Sequence, residues 1–158
     1  MMSFIPLTER EQAQLKDNLG DLPITGPAWP RWVKLVALLV LSLVVMQAGL
    51  TVQKAGLASL SNTGGLFLLI VFIGLSFITY FMQHSVTTID ENGIRQSWFT
   101  KRQVGFHEMS FAKFVPMLAS KRLIVFVKKG RPIVFQAGSQ DLQVAFAKIS
   151  LQFKDRQY

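Results

Sequence analysis

Cysteine is absent from this chain of 158 residues, and histidine occurs only twice. Without thiols, disulfide bonds, thiolate metal sites and cysteine nucleophiles are excluded. The sequence also lacks the glycine-rich motifs of phosphate and dinucleotide sites and the serine motif of a nucleophile elbow. His107-Glu108 begins like a zinc-protease motif, but Phe111 stands where the second histidine is required. These absences predict a protein that is not an enzyme and that binds no metal or cofactor.

Charged residues are missing from two long stretches, residues 35–53 and 66–82. At about 1.5 Å of rise per residue, a helix over the first stretch would reach roughly 28 Å, close to the hydrocarbon thickness of a bilayer. Neither stretch has a polar face. A chain of this size cannot bury two such helices in a soluble core, so the pattern favours membrane spans over a soluble bundle.

The segment between the two stretches is rich in glycine, serine and asparagine, which is typical of an exposed turn. Because lipid offers no partner for free backbone groups, two adjacent apolar stretches of this kind predict an antiparallel helical hairpin. We therefore predict a transmembrane hairpin over residues 31–83, with spans at about 33–53 and 65–83. A cleaved signal peptide is not expected, because an acidic segment precedes the first span.

Acidic residues are scarce: nine Asp and Glu stand against seventeen Lys and Arg, which gives a net charge of +8. Four of the cations precede the first span, one lies in the spacer and twelve follow the second span. The positive-inside rule then predicts that both termini are cytoplasmic. The residues expected to anchor the inner ends of the spans at the membrane interface are Trp29, Arg31, Trp32, Lys34 and Tyr80.

Residues 1–30 are interpreted as a cytoplasmic leader without chemistry. Thr8 and Glu11 have the spacing of a capping box, which predicts a short helix over residues 9–18. Leu15 and Leu19 are its only large apolar residues, so the helix should rest on another element. Three prolines in residues 21–30 forbid a regular helix there and lead the chain to the bilayer.

After residue 83 the apolar pattern changes from helical to extended. Turn-forming clusters such as residues 90–93 and 129–130 separate short runs rich in β-branched and aromatic residues. The predicted strands cover residues 85–89, 94–100, 104–109, 111–117, 122–128 and 132–136. Successive short strands with small gaps indicate an antiparallel sandwich or barrel.

The last predicted element is an amphipathic helix. Ser139 is its expected N-cap, and Asp141 suits the positive end of the helix dipole. The apolar stripe of the helix consists of Leu142, Phe146, Ile149 and Phe153. Such a stripe predicts a lid that packs on a sheet.

Residues 88–94 form a strand–turn–strand motif, and residues 104–109 combine a hydrophobic, an aromatic and an acidic residue. With the closing helix, residues 84–158 resemble the bacterial pleckstrin-homology-like (PH-like) domains of small membrane proteins. The resemblance implies a seven-stranded fold, one strand more than the sequence indicates, and Phe106 stands where a Trp is common. The expected fold is an α+β membrane protein: a two-helix transmembrane hairpin followed by a small antiparallel PH-like β domain closed by an amphipathic helix.

The resemblance implies an interaction domain. We expect a non-catalytic accessory or scaffold subunit of a larger complex in the bacterial inner membrane, with docking through the spans and the PH-like domain. Small residues at Ala48, Gly49 and Gly74 would allow other helices to approach closely. No motif for reading nucleic acid is present, so nucleic acid is not an expected partner.

The alternative function is an anionic-lipid-binding module that acts by itself. Five cations lie at the ends of one predicted hairpin: Lys121, Arg122, Lys128, Lys129 and Arg131. Each cation close to an anionic membrane surface contributes about 1 kcal/mol. The simpler interpretation is that these residues are solvated loop ends that share in the positive-inside excess.

Overall fold

The structure is a computed structural model that describes residues 7–56, 58, 63–118, 120–128 and 130–154. The chain forms two compact units. One unit is the segment 31–83. The other, which we call the β domain, joins the described residues before position 31 to those from position 84 onward. This division differs from the predicted one, in which residues 1–30 were a separate leader.

The segment 31–83 is built from two long helices, α2 (Arg31–Ala55) and α3 (Thr63–His84). Both are long and apolar enough to cross a membrane. The Nζ of Lys34, in the first turn of α2, donates to the carbonyl of Gln83 near the end of α3 at 2.9 Å. The hydroxyls of Ser42 and Thr51 donate to carbonyls of their own helix at 2.9 Å, so neither hydroxyl needs a partner outside α2.

The β domain contains two antiparallel sheets and two helices. Helix α1 covers Glu9–Leu19, and helix α4 covers Gln140–Lys154. The four strands of the first sheet, in spatial order, are β1 (Ile24–Pro27), β2 (Val86–Ile89), β3 (Gly93–Ser97) and β4 (Arg102–Gly105). The second sheet has the order β5 (Met109–Val115), β6 (Lys121–Val127) and β7 (Ile133–Ala137).

Strand β1 corrects the interpretation of the N-terminal segment. It pairs with β2 in antiparallel register, with Ile24 opposite Ile89 and Pro27 opposite Val86. The long helices are therefore inserted between two hydrogen-bonded neighbours of one sheet. No local pattern indicates this strand, because it is only four residues long, contains Gly and Pro, and pairs with a strand far along the chain.

The other strands differ from prediction mainly at their ends. The predicted strand over residues 104–109 is interrupted, because β4 ends at Gly105 and a 3₁₀ turn covers Phe106–Glu108. The Glu108 carboxylate accepts a hydrogen bond from the Gly105 N–H at 3.2 Å, which favours the turn over continued extension. With β1 added and the 3₁₀ turn separating β4 from β5, the described residues of the domain form a four-stranded and a three-stranded sheet.

The core confirms the predicted apolar stripe of α4. Leu142, Phe146, Ile149 and Phe153 are all buried, in one cluster with residues of both sheets. Leu15 and Leu19 of helix α1, and Leu7 just before it, belong to the same cluster. Helix α1 also packs against α4. The predicted support for α1 is therefore the β domain itself.

Two buried polar contacts join the sheets. The Thr87 hydroxyl donates to the carbonyl of Gln136 at 2.8 Å, and the Gln136 N–H donates to the Gln96 side chain at 3.2 Å. Ser139 precedes α4 as predicted, but its hydroxyl has no hydrogen-bond partner within the described residues. Its role as a side-chain cap is therefore not observed.

Candidate functional site

The chain leaves the β domain and returns to it at one end of the first sheet. Pro27 at the end of β1 lies opposite Val86 at the start of β2, and the Ala28 N–H donates to the Ser85 carbonyl at 3.1 Å. The Ser85 hydroxyl donates to the Ser97 carbonyl at the end of β3, at 2.9 Å. We call this region, formed by residues 27–29, Ser85 and the β3–β4 turn at 98–101, the junction end.

Aromatic packing holds the junction end together. The rings of Trp29 and Trp98 lie 6.1 Å apart between centroids, and the guanidinium of Arg102 lies 5.7 Å from the centre of the Trp98 ring. Arg102 also donates to the carbonyl of Val134 in β7 at 2.9 Å. A cation over an aromatic face is attracted by the ring quadrupole, which holds Arg102 against the β3–β4 turn. The hydrogen bond from Arg102 to Val134 then ties this turn to the second sheet.

Strand β7 closes the junction end from the side of β1. The Gly138 N–H, just after β7, donates to the Pro27 carbonyl at 2.8 Å. A Cβ at Gly138 would lie 2.4 Å from the backbone carbonyl carbon of Trp29. Only glycine permits this approach, so the point at which the chain leaves for α2 is fixed by backbone contacts on two sides.

The β3–β4 turn carries an exposed aromatic residue beside cations. Phe99 is 64% exposed, Lys101 is exposed and Arg102 is half-buried. An apolar ring next to basic groups is a composition suited to the boundary between acyl chains and anionic headgroups. The sequence analysis did not select these residues. Two aromatic residues followed by two cations at 98–102 were visible, but only the pairing of β1 with β2 puts them beside the chain exit.

The predicted cluster of five cations is divided between two places. Lys121 and Arg122 begin β6, whereas Lys128 follows its last residue and Arg131 precedes β7. The two groups are therefore about 20 Å apart along an extended strand. Lys129 lies outside the described residues. The structure does not bring the four described residues of this cluster together as one site.

Lys128 instead lies at a groove between β4 and the start of β7. One part of the groove is lined by residues including His107, Glu108 and Lys128, and the adjoining part is lined by residues including Lys101 and Arg102. The two parts share Gln103 and Ile133. The basic residues of this side of the domain therefore continue from the junction end to the β6–β7 turn.

The predicted interface anchors occupy different positions. Trp29 is half-buried against Trp98 in the β domain, with no hydrogen-bond partner for its indole N–H in the described part of the chain. In α2, Arg31 and Trp32 are exposed, while Lys34 is engaged with the Gln83 carbonyl. Tyr80 in α3 is 59% exposed.

The opposite end of the first sheet contains a carboxylate with a lowered pKa, that of Asp90. Burial raises the pKa of Asp90, but hydrogen bonds from the Arg95 guanidinium and from the N–H groups of Asn92 and Gly93 outweigh this effect and hold the pKa below its usual value. Arg95 and Asp90 also form an ion pair. This arrangement stabilises the β2–β3 turn.

Three or more His, Cys, Asp or Glu residues do not come together as possible metal ligands anywhere in the described ranges. No family model, no curated protein and no solved structure matches the chain. Only the residues and their geometry therefore bear on its function.

Proposed function

We propose that this chain is a non-catalytic accessory or scaffold subunit of a larger complex in the bacterial inner membrane. Helices α2 and α3 would anchor it, with both termini in the cytoplasm, and the β domain would present a docking surface close to the bilayer. The observation that carries this proposal is the insertion of both helices between the paired strands β1 and β2.

The insertion matters because it leaves only short connections between the β domain and the two long helices. A domain on a flexible linker samples a volume set by the linker length. Here the chain passes from the β1–β2 ladder into α2 after only residues 28–30, and the return from α3 needs only Ser85. Both connections are short, and the hydrogen bond from the Ala28 N–H to the Ser85 carbonyl joins one to the other. Only a few residues of chain therefore separate the junction end from either long helix.

The strand arrangement supports a PH-like assignment for the β domain. The resemblance implies seven strands, and β1 supplies the one that the sequence did not indicate. Antiparallel sheets of four and three strands with a closing C-terminal helix agree with that expectation. Domains of this architecture mostly present surfaces for binding, which favours a scaffold over an enzyme.

The test is purification of the tagged full chain from its native membranes in mild detergent. We expect the chain to stay in the membrane pellet after alkaline carbonate washing and to bring a different chain with it in fixed ratio. A reporter at Tyr158 should be protected from outside reagents in intact cells. Release by carbonate, or a pure product without a second kind of chain, would contradict the proposal.

The second candidate is direct contact with anionic lipid, and the exposed Phe99 beside Lys101 favours it. The chain has no native cysteine, so a single cysteine can carry a polarity-sensitive dye. We would label Phe99→Cys in lipid nanodiscs and use Glu91→Cys, in the exposed turn at the opposite end of the sheet, as the control. Contact predicts a blue shift at position 99 alone, larger in anionic than in zwitterionic lipid. Equal spectra at the two positions would exclude it.

A further inference from the structure

Gln47 is an unsatisfied polar residue within the first apolar stretch. Its side chain is exposed on α2, and among the described residues its amide group has no hydrogen-bond partner; only its backbone carbonyl is used, by Thr51. It lies about 9 Å inside the outer end of the uncharged stretch. If α2 spans a membrane, this amide is in hydrocarbon, where unpaired donors and acceptors are costly.

Gln47 belongs to a regular face of α2. Alternating steps of four and three residues link it to four apolar side chains that are 40–51% exposed: Val36, Val40, Leu43 and Leu50. This is the spacing of a heptad seam. Val40 takes position a, Leu43 and Leu50 take d positions and the polar Gln47 takes the next a position, a pattern typical of parallel two-stranded pairing; Val36 takes the first d position.

This face is separate from the one that approaches α3. The cleft between the helices is lined on the α2 side by Val44, Val45 and Ala48, and on the α3 side by residues including Leu68 and Leu69. Ser76 and Thr79, the polar residues further along α3, are more than one helical turn from this level. Helix α3 therefore does not supply a partner for Gln47, and the seam is left open.

We infer that two copies of this chain pair in parallel through the α2 seam, with the Gln47 side chains hydrogen-bonded to each other. This inference rests on the proposed membrane anchoring. Copies with the same membrane orientation bring identical residues together across a two-fold axis. An amide is complementary to itself, because the oxygen of one accepts from the NH₂ group of the other. A second copy thus supplies the missing partner without any other polar residue.

Single cysteines test the seam directly, because the chain contains none of its own. Leu43→Cys and Leu50→Cys lie on the seam. Leu38→Cys and Leu35→Cys are the controls, with 44% and 65% exposure; both lie off the seam and outside the α3 cleft. Oxidation in native membranes should cross-link the seam variants to twice the mass of the chain, and the controls far less. Equal cross-linking at all four positions, or none, would overturn the inference.

Substitution of Gln47 separates its amide from general packing. In the Leu43→Cys background, Gln47→Leu should reduce dimer association by about three- to tenfold, which is the range for one interhelical polar contact in a membrane. Gln47→Asn should retain most of the cross-linking. No loss with leucine, or a cross-link to a chain of another mass, would contradict pairing with a second copy.

Carbonate washing of the same samples distinguishes failure of the dimer from failure of the proposed membrane anchoring. If the chain remains in the membrane pellet but the seam cysteines show no preference, the dimer fails and the anchor stands. If the chain is released into the supernatant, the anchor fails and the dimer fails with it.

Discussion

Helices α2 and α3 leave their large apolar side chains exposed, whereas the β domain buries its own in a cluster formed by both sheets, α1 and α4. Leu39 and Phe67 are 60% and 69% exposed, while Phe135 and Phe146 are completely buried. Similar side chains thus have opposite environments in one chain. The comparison teaches that the two long helices have the composition suited to an apolar solvent, such as the interior of a membrane, while the β domain provides its own apolar interior.

The largest expected contrast comes from the same truncation in the two units. Phe146→Ala in α4 should lower the stability of the β domain by about 3–5 kcal/mol, because it leaves a cavity in the core. Phe67→Ala in α3 should leave that stability nearly unchanged. Thermal unfolding in detergent, followed by near-ultraviolet circular dichroism, measures both. Equal losses would mean that the two units share one core.

The next prediction concerns the N-terminal segment. Leu15→Ala should destabilise the β domain by about 2–4 kcal/mol, because Leu15 is fully buried in its core. Leu118→Ala is the control, since Leu118 is 99% exposed, and it should have little effect. The same unfolding measurement applies. If Leu15→Ala left the midpoint temperature of unfolding unchanged, the N-terminal segment would be independent of the β domain.

The junction gives a smaller effect. Gly138→Ala should cost about 1–3 kcal/mol, because the new methyl group would overlap the Trp29 backbone and push β1 and β7 apart. The emission of the tryptophans at the junction should shift to longer wavelength as Trp29 and Trp98 become more hydrated. Gly74→Ala in α3 is the matched control, because no atom lies within 4 Å of its added Cβ. A similar shift in both variants would argue against a tight junction.

The smallest effect is the pH dependence of the β2–β3 turn. The folded-state pKa of Asp90 lies below the ordinary value of 3.8, so its charged form contributes stability above that value and loses it as the pH falls through the folded-state pKa. Asp90→Asn should therefore cost about 1 kcal/mol near neutral pH, given the exposure of Arg95. The difference from the unsubstituted chain should disappear in acid. A difference that is constant down to pH 2 would contradict this account.

Much of the fold followed from local patterns. The two long helices, the capping-box start of α1 and the buried stripe of α4 were predicted because each depends on residues close together in sequence. The hairpins with predicted turns at residues 90–93 and 129–130 were predicted for the same reason. The junction end, by contrast, was not predicted from the sequence. Neighbouring positions at the ends of β6 suggested one cation cluster, but an extended strand separates its two halves.

The sequence by itself determined that this chain has two membrane-length apolar helices, a basic β domain and no thiol chemistry, because composition and periodicity fix which solvent each segment prefers. Only the tertiary structure decided that β1 belongs beside β2, and that the turn with Phe99 and Lys101 lies where the helices leave the domain. Strand pairing between distant segments depends on the summed contacts of the whole sheet, and a four-residue strand carries too little local pattern to reveal its partner.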